Sequence, residues 1–237
     1  MSDPSTAFAA AWHLVATGDR ELYAVVALSL RVSLSALLIA ALIGLPLGGV
    51  LAVHRFRGRG ALIALFDTLM GLPPVVAGLA VYLLLSRAGP LGAYGLLFTP
   101  GAMIIAQTIL ITPIIAALTR QFVEDDWRAC REQLTSLGSG RWRAVPTLLW
   151  NCRYSLTTAV LAGLGRAMAE VGAILIVGGN IAGITRTMTT AIALETSKGD
   201  LPFALGLGLV LMALILAVNG IARLSGLMIA RAGPHYA

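Results

Sequence analysis

The sequence predicts an all-α polytopic membrane protein with about five transmembrane helices, N-terminus outside and C-terminus inside. Three observations predict it. Of 237 residues, 58% are hydrophobic and only 12% charged, against roughly 25% charged in an ordinary soluble domain. Five stretches are apolar over the ~20 residues that a helix needs to cross the hydrocarbon. The basic residues between those stretches collect on one side.

The stretches follow in order. Residues 32–53 carry no charge over 22 positions, and residues 61–86 carry only Asp67 over 26. Residues 95–119 carry none over 25, residues 154–179 carry Arg166 and Glu170 over 26, and residues 201–222 carry none over 22. None alternates as a barrel strand does, and backbone in lipid must satisfy its own hydrogen bonds, so each reads as a helix. Pro46, Pro73-Pro74, Pro113 and Pro202 fall in or beside these runs, with Gly44 and Gly48 nearby. A mid-helix proline frees a carbonyl and bends the axis. Such a bend serves packing or marks a kinked, pathway-lining helix, and Pro73 with Pro74 is the best candidate for the second. No internal repeat is sustained. Residues 1–21, including Trp12 and His13, are expected to be an external or interfacial segment without a cleavable signal. The whole chain, 1–237, reads as a single transmembrane domain.

Orientation follows from arginine. Arg55, Arg57, Arg59, Arg120, Arg128, Arg131, Arg141, Arg143, Arg153, Arg223 and Arg231 lie on one side of five spans. Arg20, Arg87, Arg186 and Lys198 lie on the other. The richer side is the cytoplasmic one.

The same inventory excludes several functions. Lys198 is the only lysine among 17 basic residues and has no glycine-rich loop before it, so the chain carries no P-loop. The net charge of +6 is spread between apolar runs rather than gathered in a patch, which argues against nucleic acid. Cys130 and Cys152 fit no metal spacing and are expected as free thiols. His13, His54 and His235 all lie outside the apolar runs, so neither a metal site nor an intramembrane hydrolase is expected. A secondary transporter would place ion-coupling carboxylates at depth, where only Glu170 is available.

The longest polar stretch, residues 120–153, is read as a cytoplasmic coupling segment. Glu132 to Leu137 suits a short helix, and Gly138 suits the left-handed residue that ends one. With Ser139 and the following Arg141-Trp142-Arg143, this makes a projecting element with an acidic start and a basic, aromatic end. In an arbitrary membrane protein it would be a solvated loop.

Glu132 followed six residues later by Gly138 resembles the EAA motif of permease subunits in binding-protein-dependent ABC importers. Gln133-Leu134, Ser139 and Trp150-Asn151 depart from that motif. Ala167-Met168-Ala169-Glu170-Val171-Gly172-Ala173 and Val177-Gly178-Gly179-Asn180 resemble a stretch of molybdate and tungstate permeases. Leu72-Pro73-Pro74-Val75-Val76-Ala77-Gly78 and Gly89-Pro90-Leu91-Gly92 are similar to that group's earlier spans. Residues 189–200 are most similar to its tungstate branch. The resemblance runs from about residue 29 to 215.

It implies a permease homodimer in a prokaryotic plasma membrane. Two ABC ATPase subunits would bind inside and an oxyanion-binding protein outside, with lipid around the spans. The cargo would be tungstate first, then molybdate or sulfate. No cofactor is expected, because ATP belongs to the partner ATPase. Glu132, Leu137, Gly138, Ser139 and Trp142 are the expected coupling residues. Pathway or gate candidates are Pro73, Pro74, Arg166, Glu170, Asn180, Thr187, Thr189 and Thr190. Arg166 and Glu170, at i, i+4, share a helix face beside the small residues Gly165, Ala169 and Ala173. They are either a structural ion pair or, through Arg166, the source of a preference for anions. Thr185 to Thr190, with Arg186, collect groups that suit an oxyanion, though such loops also serve as helix caps.

Overall fold

The structure, a computed structural model, describes Ala9, Trp12, His13, Ala16, Thr17 and residues 19–232, the last twelve as backbone alone. Most of the 1–21 segment, and with it the reading as an interfacial segment, lies outside the described residues. So do the side chains of Arg223 and Arg231.

Nine α-helices and no strand occur among the described residues. The Asp19 carboxylate accepts the Leu22 N–H at 2.9 Å and caps α1, Arg20–Val53. The helix therefore begins well before the apolar run, because Arg20, Glu21 and Arg31 end apolarity without ending helical hydrogen bonding. α2, Arg59–Met70, and α3, Pro74–Leu85, form one apolar stretch bent by 105°. The break falls at Gly71-Leu72-Pro73, where Pro74 can open a helix but not continue one. A short 3₁₀ turn, Gly92–Tyr94, leads to α4, Pro100–Ser136. Then come α5, Arg141–Asn151, and α6, Arg153–Met168, with α7, Gly172–Gly178, bent 58° from α6. α8, Met188–Lys198, and α9, Leu201–Ala232, are the last two described helices.

α1, α4 and residues 201–220 of α9 are each long and apolar enough to cross a membrane. The α2–α3 and α6–α7 pairs reach the same standard if each bent pair is one span, giving three to five. The second and fourth apolar stretches are thus broken helices, not continuous ones.

α1 and α4 form the central pair. Small residues of α1 recur every fourth position, Ala36, Ala40, Gly44 and Gly48, and are buried. They let the backbones approach closely, as small residues do between membrane helices. A Cβ on Gly44 would stand 3.0 Å from Ile115 Cγ2, and one on Gly48 would stand 2.5 Å from the Ala116 carbonyl oxygen. α3, α4 and α7 enclose a second core around Val81, Met103 and Val177.

α4 corrects one expectation. Its 37 residues run unbroken through Pro113 to Ser136, about 55 Å at 1.5 Å per residue. Glu132 to Ser136 is the last turn of this helix, not a separate short one. Apolarity stops at Thr119, but i, i+4 ion pairs of Glu124 with Arg120 and Arg128, both 3.1 Å, carry the helix onward in water. Arg59 reaches Glu124 at 3.4 Å and Asp67 reaches Arg120 at 3.6 Å, fastening α2 to α4. Burial raises the affinity of Glu124 for a proton, but Arg59, Arg128 and Arg120 outweigh it and hold the carboxyl below its ordinary range.

Candidate functional site

Two groups of residues stand at different levels. The first is the turn between α4 and α5. Gly138 has φ +70°; its N–H donates to the Thr135 carbonyl at 3.0 Å, and the Ser139 N–H donates to Leu134 at 2.9 Å. This pair of bonds is the Schellman helix end, which wants glycine at the left-handed position. The turn displays its neighbours. Leu137 is 81% exposed and Trp142 71% exposed, and Glu132 also faces solvent. Glu132 borders a polar cleft of about 230 Å³ that Arg55, Arg59 and Arg131 also line.

Trp142 is in the first turn of α5, and one side of its indole meets His54 with ring centroids 4.2 Å apart and planes at 49°. Ala144, Val145 and Leu148 of α5 pack on Ala52 and Val53 of α1, while Asn151 donates to the Asp126 carboxylate at 2.8 Å. The turn is therefore held by α1, α4 and α5 together. Cys130 and Cys152 are free thiols. Burial, then Asp126, pushes Cys152 up to about 11, leaving it protonated and unreactive at neutral pH.

The second group surrounds the two helix breaks. α3 and α7 cross so closely that a Cβ on Gly78 would lie 2.7 Å from Ala173 Cα, and one on Gly172 would lie 2.8 Å from Val75 Cγ2. The Pro73-Pro74 break thus adjoins the α6–α7 break. Glu170, 3% exposed, occupies the latter. It faces Arg166 at 3.6 Å and accepts the Ala173 N–H at 3.0 Å, so one carboxylate pairs a cation and caps α7. The pair forms as the sequence suggested, though across the end of a helix rather than along one face. The Arg166 side chain remains 34% exposed.

Gln107, 1% exposed, donates to the Ala167 carbonyl at 3.0 Å, one of the acceptors freed by the break. Thr189 donates to the Glu170 carbonyl at 2.7 Å. The Ser29 hydroxyl accepts the Met188 N–H at 2.7 Å and so ties α1 to α8. Ser29, Ser33, Thr187 and Thr189 line a pocket of about 10 Å³, room for roughly one water.

The remaining candidates serve the backbone here. Thr187 and Thr190 form a reciprocal capping box at the start of α8 and are buried. Thr185 donates to the Gly178 carbonyl at 2.6 Å, and Arg186 pairs with Glu21 at 3.3 Å and Glu195 at 3.9 Å. Over residues 185–190 the threonine hydroxyls turn inward in this structure, and the Arg186 guanidinium pairs with carboxylates. Asn180, at φ +51°, donates to the Thr190 carbonyl at 3.3 Å and leaves its own Oδ1 buried without a partner among the described residues.

Sequence reasoning missed Gln107, Ser29 and His54. A polar residue inside an apolar run could have marked Gln107, and nothing local marks Ser29 or His54.

Over 216 residues the chain is 40% identical to the probable anion ABC transporter permease protein of Haloferax volcanii, covering 88% of this chain and 93% of that protein. Over 214 residues it is 39% identical to the tungstate uptake system permease protein of Peptoclostridium acidaminophilum, covering 90% and 94%. The sulfate transport system permease protein of Synechocystis sp. is more distant, 29% identical over 203 residues, which cover 83% of this chain and 74% of that protein. No family model matches. With an all-helical membrane architecture, an exposed glycine-ended turn and near full-length similarity, this chain belongs to the ABC transporter permease family that includes the anion and tungstate uptake permeases.

Proposed function

We propose that this chain is the membrane-spanning subunit of an ABC importer for a tetrahedral oxyanion, tungstate first. The observation that carries the reading is 39% identity to a tungstate permease over 94% of that protein's length. Molybdate or sulfate is the second reading, favoured by the more distant sulfate relative. The chain works as a homodimer in a prokaryotic plasma membrane, with five spans per copy, N-terminus outside and C-terminus inside. Two ATPase subunits bind and hydrolyse ATP inside, and a binding protein delivers the anion outside.

The geometry supports a mechanism. Closure of the ATPase pair moves Leu137, Gly138, Ser139 and Trp142, with Glu132 setting the approach. α4 is one stiff rod from that turn to the outer side, so displacement inside is displacement outside. The α2–α3 and α6–α7 breaks adjoin each other and supply the hinge, with Pro73, Pro74 and Glu170 at its centre and Asn180, Thr187, Thr189 and Thr190 fastening its outer side. Arg166, about one third exposed at membrane depth, avoids lipid by facing the second copy, and attracts the anion while Glu170 keeps it from holding on.

Glu170→Gln keeps an acceptor for the Ala173 N–H but removes the charge opposite Arg166. Uptake by this variant is expected to fall about tenfold, equivalent to ~1.4 kcal/mol in the barrier, with the protein still in the membrane. Wild-type uptake would remove the pair from the mechanism. Cargo is tested by reconstituting the complex with its binding protein and measuring ATP hydrolysis with each anion. Stimulation by tungstate above molybdate and sulfate is expected; stimulation by sulfate alone would reassign the cargo.

A further inference from the structure

His54 is the C-cap of α1, in extended conformation at φ −88° and ψ 138°. Its ring lies against Trp142, yet both ring nitrogens are buried without a hydrogen-bond partner among the described residues. A neutral imidazole carries one N–H donor and one acceptor, and leaving both stranded is unfavourable. If packing on Trp142 were the whole role, phenylalanine would fill the place with no polar atom to strand. Buried polar groups without partners ask for an explanation, and an importer passes through more than one arrangement as it works.

The position of His54 supplies the explanation. It stands where the α4–α5 turn meets the inner end of α1. Toward its other end α1 is held by Ser29, which takes the Met188 N–H beside the outer threonines. Twenty-five residues of helix separate the two positions, about 37 Å. α1 is therefore a second rod beside α4, fixed toward its outer end by a hydrogen bond and at its inner end by an aromatic contact.

We infer that His54 receives the ATPase stroke on behalf of α1 through its ring nitrogens, which are idle in the arrangement seen here, where the ring rests on Trp142, and which take a hydrogen bond in the arrangement that follows the stroke. The inference rests on the coupling reading of the α4–α5 turn. His54 is a positioning residue, acting through α1.

The test uses the complete transporter in proteoliposomes, with tungstate uptake and ATP hydrolysis measured together. His54→Phe keeps an aromatic face for Trp142 and loses both nitrogens; His54→Gln keeps hydrogen-bonding atoms and loses the ring. Uptake per ATP is expected to fall at least fivefold in H54F and to recover to within twofold of wild type in H54Q. A packing role predicts the reverse order, so wild-type coupling in H54F, or equal loss in both, overturns the inference. If H54F fails to assemble, H54Q still decides, since a coupling ratio no better than one fifth of wild type in an assembled H54Q complex contradicts it. Trp142→Ala and Gly138→Val are run alongside. If these two retain full uptake per ATP, the coupling reading itself is wrong. If they lose it while H54F keeps it, only the role of His54 is wrong.

Discussion

Gly138→Val is expected to lower ATP-driven anion uptake at least tenfold while leaving the permease in the membrane. The cause is conformational rather than steric. A Cβ at 138 meets nothing within 4 Å, so there is room for a side chain. The backbone, however, sits at φ +70°, a region that costs an L-residue roughly 1–2 kcal/mol and a β-branched one more. Valine relieves that strain by leaving the left-handed region, and the bonds from Gly138 to Thr135 and from Ser139 to Leu134 then go with it. Leu137 and Trp142 would no longer project in their present directions. Asparagine tolerates the left-handed region far better, so Gly138→Asn should stay within about threefold of wild type. The series is read as uptake rate in proteoliposomes. A valine variant as active as the asparagine one would show that this turn's shape is irrelevant.

Gly48→Val is expected to act on the fold itself. Its Cβ would stand 2.5 Å from the Ala116 carbonyl oxygen, 2.7 Å from Thr119 Cβ and 3.0 Å from the Arg120 nitrogen. Two of those neighbours are backbone of α4, which cannot turn aside as a side chain can, so the helices must separate. Overpacking of this kind costs about 1–3 kcal/mol, and here it also parts α1 from α4 where the two must move together. The expected result is a melting temperature several degrees lower in detergent and uptake reduced with it. Gly60→Val is the control, because a Cβ there meets nothing within 4 Å. Equal stability of the two variants would contradict close contact at Gly48.

Much of this was legible in the sequence wherever one residue's own chemistry decides. Apolar runs marked the three helices and two bent helix pairs that are long and apolar enough to cross a membrane, since lipid tolerates little else. Pro73-Pro74 marked a break because proline cannot donate within a helix, and Gly138 marked a helix end because few other residues adopt its φ. Tertiary partners were not legible. Ser29 meets Met188 across 159 positions and Gln107 meets Ala167 across 60, and no local pattern announces either contact. The length of α4 was missed for a different reason. Hydropathy reports where lipid ends, and α4 continues past that point on the ion pairs of Glu124. The threonines of residues 185–190 looked suited to an anion because composition lists donors without saying where they point. In the fold those donors are spent on α8, on the carbonyl of Gly178 at the end of α7 and on the carbonyl of Glu170.

The most direct measurement compares anion uptake into vesicles holding the permease with its ATPase and ATP, the permease with its ATPase but no ATP, and the permease alone. Uptake in the first preparation only, and its loss when Gly138 becomes valine, is the expected result. Uptake at the full rate by the permease alone would contradict the claim that the turn at Gly138 exists to be driven by a separate motor.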